Sequence, residues 1–136
     1  MSLFNIFTIA GSSLHAQAVR LNTTASNLAN ADSASSSTGT TYRARHPVFA
    51  PLLGDDGDDA AAGVEVLGIV ESQAPLRREY QPGHPLANQE GYVFMPNVDP
   101  IEEMADMISA SRTYQSNVEV LNTSKQLLSR TLSLGD

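Results

Sequence analysis

Residues 3–30 read LFNIFTIAGSSLHAQAVRLNTTASNLAN, and their spacing decides the fold. Phe7, Leu14, Leu21 and Leu28 recur every seven residues, with Gly11, Ala18 and Ala25 each four residues on. Large and small side chains at that spacing form one seam along a helix. The helix is predicted from Leu3 to Asn30, roughly 42 Å at 1.5 Å per residue. Leu3, Phe4, Ile6, Phe7 and Ile9 point nearly all round the axis, and a helix apolar on every side needs more than one partner. The segment holds a single charged side chain, Arg20. Such a face is built to be covered.

A second helix is predicted at the other end, from Pro100 to Leu134, roughly 53 Å long. Asp99 suits the N-cap, Pro100 the first helical position, and Glu102 the reciprocal place of a capping box. Its apolar stripe reads Ile101, Met104, Ile108, Tyr114, Val118, Leu121, Leu128 and Leu132, and Gly135 is the expected stop. Ala110, Ser111, Gln115, Asn117, Asn122 and Ser124 add small or neutral hydrogen-bonding groups. The fold expected is mainly α: long N- and C-terminal helices packed as an antiparallel coiled-coil-like pair, with a small, irregular, β-rich middle module. Residues 1–30 and 99–136 then make a discontinuous helical core domain, and 31–98 an extended arm with the outer module.

The middle is full of breakers. Ser33–Thr41 is mostly Ser and Thr and reads as a flexible connection or extended arm. Tyr42–Arg45 and Val48–Phe49 read as short strand pieces broken by Pro47 and Pro51, and Val64–Val70 as the best strand. Pro82, Pro85 and Pro96 predict an extended, turn-rich stretch over Gln81–Asn97.

Composition narrows the function. At 136 residues the chain suits one modest domain. Its net charge of −7 argues against nucleic acid or an anionic membrane as partner. No apolar run is long enough to span a bilayer. Cysteine is absent, which removes thiol chemistry and Cys-ligated zinc. Ala16-Gln17-Ala18 has the look of a cleavage site, but no Lys or Arg precedes it and the helical repeat runs straight through, so no cleaved signal is expected. Asp55, Asp56, Asp58 and Asp59 read as a solvated acidic loop, since an EF-hand register starting there would put Val66 at the bidentate Glu position. His15, His46 and His84 show no zinc spacing, and there is neither a GxSxG elbow nor a Gly-rich phosphate loop. No catalytic, cofactor or metal residues are assigned. The chain reads as an interaction protein that orders inside an assembly.

Ser26-Asn27-Leu28-Ala29-Asn30, with Gln17 and Leu21 upstream, resembles the N-terminal signature of bacterial flagellar rod and hook axial proteins. Further matches run in order: Asn5 to Ser12, Glu71 to Pro75, Tyr80 to Ala87, Gly91 to Asp99, Ser109 to Thr123 and Thr131 to Gly135. Together they cover nearly the whole chain. The resemblance implies a structural subunit of the proximal rod, located in the periplasmic part of the flagellar basal body. It implies type III export without a cleaved signal, and partners among other rod proteins, further copies of itself, the rod–export-gate adaptor and the surrounding membrane ring. By position it makes Phe7, Leu14, Leu21, Leu28, Ile108, Val118, Leu121 and Leu128 the helix seam. Leu3, Phe4, Ile6 and Ile9 would face neighbouring subunits, with Asn22, Asn27, Asn30, Gln115 and Asn122 lending directional hydrogen bonds. Thr23-Thr24, His15 and the Asp55–Gly63 insert depart from the pattern. The alternative is another helical interaction protein secreted as a type III export substrate.

Overall fold

The computed structural model describes residues 3–53 and 61–133. Two long helices, α1 (Leu3–Ala29) and α2 (Pro100–Ser133), enclose four strands in the sequence: β1 (Arg45–Leu53), β2 (Ala61–Glu71), β3 (Arg77–Tyr80) and β4 (Tyr92–Met95). The strands form two separate two-stranded sheets, β1–β2 and β3–β4. The end of α1 and the start of α2 match the predicted ones to within a residue. Gly135 and the acidic stretch Asp55–Asp59 lie outside the described residues.

Local chemistry explains the helix ends. At the start of α2, Asp99 Oδ1 accepts the backbone N–H of Ile101 at 2.9 Å and of Glu102 at 3.4 Å. These are donors that no preceding turn can satisfy. At the end of α1, the Asn30 side-chain amide donates to the Ser26 carbonyl at 2.8 Å, closing the last turn.

By contact clustering the chain divides into two compact units. The first comprises Met1–Leu21, Pro47–Gly68 and Ile108–Asp136; the second comprises Asn22–His46 and Ile69–Met107. In the first unit, Ser12 Oγ accepts the backbone N–H of Val64 at 3.1 Å, tying β2 to α1. Gly63 permits this approach, because a Cβ there would sit 2.5 Å from the same Ser12 oxygen. Asn117 on α2 donates to Ser13 Oγ on α1 at 2.7 Å.

In the second unit β3 and β4 pair antiparallel, with Arg77 opposite Met95 and Tyr80 opposite Tyr92. The Tyr80 and Tyr92 rings meet edge to face at 5.2 Å, and the Arg78 guanidinium lies 4.3 Å from the Tyr92 ring centre. Asn88 Oδ1 organises the connecting turn by accepting from Glu90 and Tyr92 N–H. Gly91 takes φ +82°, a left-handed conformation in which a Cβ would lie 2.9 Å from the Tyr80 ring.

Two expectations for the middle change. The Ser33–Thr41 segment is tied down rather than loose: Ser35 bridges Phe94 through two backbone hydrogen bonds of 2.9 Å, and the buried Thr41 hydroxyl donates to the Ser37 carbonyl at 2.7 Å. β1 also runs unbroken through Pro47 and Pro51. A strand in a two-stranded sheet has one open edge, where a missing N–H costs no ladder bond.

Candidate interaction surface

The residues the fold buries are small. Among the described residues, the buried apolar side chains are Ala10, Ala16, Ala31, Ala44, Val93, Pro96, Val98 and Ala110. Nothing larger than valine is among them. The covered face of α2 reads Glu103, Met107, Ala110, Asn117, Leu121, Ser124 and Leu128, all buried or half-buried, at heptad spacing with Tyr114 the one exposed member. Large side chains lie outside that set. Ile101 is 79% exposed, Ile108 56% and Leu132 68%. On α1, Phe4 is 71% exposed.

This arrangement places the seam residues of the sequence reading in two groups. Phe7, Leu14, Leu21, Leu28, Leu121 and Leu128 are half-buried, whereas Ile108 and Val118 are exposed. Of the residues assigned to neighbours, Phe4, Asn22, Gln115 and Asn122 are exposed, Ile6, Ile9 and Asn30 half-buried, and Asn27 buried. Leu3 begins α1, and its side chain is outside the described set.

Asn27 is the centre of a buried polar hub in the second unit. It is 1% exposed, and both ends of its amide are fully used. Nδ2 donates to the Arg45 carbonyl at 2.9 Å and to Glu103 Oε1 at 2.8 Å. Oδ1 accepts the Arg45 N–H and the Tyr42 hydroxyl, each at 2.9 Å. One side chain thus joins the last turns of α1, the start of β1 and the first turn of α2. A second asparagine, Asn97, accepts the Ala44 N–H at 2.8 Å and donates to the Ala74 carbonyl at 2.9 Å. Arg43 donates to the same Ala74 carbonyl at 3.2 Å and to that of Ser72 at 3.1 Å. The sequence reading picked out Asn27 as a hydrogen-bonding residue but missed Tyr42 and Glu103 as its partners.

Glu103 is 5% exposed, with a neutral amide as its hydrogen-bond partner. Burial raises its pKa above the ordinary glutamate value; the Asn27 bond and nearby His46 oppose the shift, while Asp106 and Glu102 reinforce it. The consequence for stability has a definite sign. Between the ordinary glutamate value and the raised one, the folded chain holds a proton that the unfolded chain has released, so stability falls as pH rises through that window. Glu103→Gln keeps an oxygen for Asn27 and removes the charge. Its thermal midpoint should exceed that of the parent at pH 7, and the difference should shrink as the pH is lowered towards about 4, where both chains are neutral at this position. A difference that stays constant with pH would show that the carboxylate is not under strain.

Among the described residues no group of three His, Cys, Asp or Glu side chains stands close enough to hold a metal ion, and no helix is long and apolar enough to cross a membrane. A small inner core and large outer apolar side chains are the surfaces of a subunit built to be covered. Comparison with known proteins specifies which. Residues 7–34 match the family of flagella basal body rod proteins, and residues 89–134 match the C-terminal family of flagellar basal body rod FlgEFG proteins. The flagellar basal-body rod protein FlgC of Salmonella typhimurium is 53% identical over 135 residues, covering 99% of both chains. FlgC of Yersinia enterocolitica is 55% identical over the same span, and FlgC of the Escherichia coli strain O157:H7 54%. The chain belongs to the FlgC family and is a structural subunit of the bacterial flagellar rod, assembling with other rod components and with itself.

Proposed function

We propose that this chain is a subunit of the proximal rod that transmits torque across the periplasm, leaving the cytoplasm by type III export with no signal removed. In this reading residues 1–30 and 99–136 form the inner layer of a tubular shaft and residues 31–98 pack outside it. The observation that carries it is the inverted distribution of apolar bulk. Among the described residues the buried apolar side chains are five alanines, two valines and Pro96, while Phe4, Ile101, Met104, Ile108 and Leu132 are all more than half exposed. Neighbouring subunits supply the missing cover, and the rod–export-gate adaptor and the membrane ring are partners at the ends and sides of the shaft.

One polar contact between α1 and α2 within each unit supports an antiparallel pairing. Ser13 bonds to Asn117 and Asn27 to Glu103: fourteen residues forward on α1 correspond to fourteen residues back on α2. Two heptads separate the polar contacts on each helix, the spacing at which one seam position recurs. Polar pairs in an otherwise apolar or small-residue seam specify register, because any slip strands them without partners.

Deleting the gene and imaging purified basal bodies by electron microscopy tests the reading. The expected image shows membrane rings lacking the rod and everything distal to it, with swimming restored by the intact gene. Complete rods and hooks in the deletion strain would overturn it.

A further inference from the structure

We draw no further inference here: the strongest candidate, the exposed apolar patch of Ile101 and Met104 on the first turns of α2, is one of several such patches, with Phe4 on α1 and Leu53 and Leu67 on β1 and β2, and nothing in the structure shows what covers it.

Discussion

Replacing Asn27 by leucine should destabilise the chain by about 3–5 kcal/mol, the scale of several buried polar groups losing their partners at once. Leucine keeps the branch at Cγ but is bulkier than asparagine, so crowding of the buried site adds to the loss of the polar partners. Four partners are left behind: the Arg45 N–H, the Arg45 carbonyl, the Tyr42 hydroxyl and the Glu103 carboxylate. The Tyr42 hydroxyl retains the Ser26 oxygen at 3.1 Å, but the buried Glu103 carboxylate loses the amide that holds it. A chemical-denaturation midpoint on the purified protein measures the effect. The double variant Asn27→Leu/Glu103→Leu should recover part of the stability, since no buried charge then remains unpartnered. A single variant within 1 kcal/mol of the parent (a change of roughly fivefold in the folding equilibrium) would show that the hub is dispensable.

The second large effect is on assembly. Leu21→Asp places a carboxylate at a half-buried position of α1 that the proposed seam includes, one heptad from Leu14 and from Leu28. An unpaired charge there must lose much of its hydration when the helices are covered by neighbours, at a cost of several kcal/mol. The variant should be produced and yet leave cells non-motile, with rods absent from purified basal bodies. Leu21→Met, close in volume and apolar, should swim. Normal swimming by the aspartate variant would remove Leu21 from the seam.

The helices were legible because their signals are local. A heptad and an Asp-Pro N-terminus each act within a few residues, and they bring out both helices and the start of α2. Which face of α2 the chain covers was not legible. The apolar stripe read from the sequence is split: Ile101, Met104, Ile108, Tyr114, Val118 and Leu132 are exposed and Leu121 and Leu128 half-buried, while Glu103, Ala110 and Ser124 turn inward. In a single soluble domain the larger side chains would have won the interior. In a subunit that shares its interior with neighbours, hydrophobicity alone does not say which contact comes first. β3 was missed for a different reason: Arg77, Arg78, Glu79 and Tyr80 show no alternation of apolar and polar residues, and their pairing is set by the turn around Asn88 and Gly91. The hub was only half visible. Asn27 stands out in the sequence, but its partner Glu103 lies 76 residues away and reads locally as one more acid at a helix start.

The prolines of β1 have a consequence for the chain before it folds. Residues 47–53, Pro-Val-Phe-Ala-Pro-Leu-Leu, carry no charge and are rich in side chains that favour strands. Uninterrupted, five to seven such residues make a seed for amyloid-like stacking. Pro47 and Pro51 leave only Val48, Phe49 and Ala50 between them, and the sequence beyond Leu53 soon turns acidic. The two prolines therefore act as gatekeepers, denying a stacking neighbour the N–H groups of a continuous ladder. The strand that tolerates two prolines in the folded subunit is guarded by them while unfolded, when many identical chains can meet.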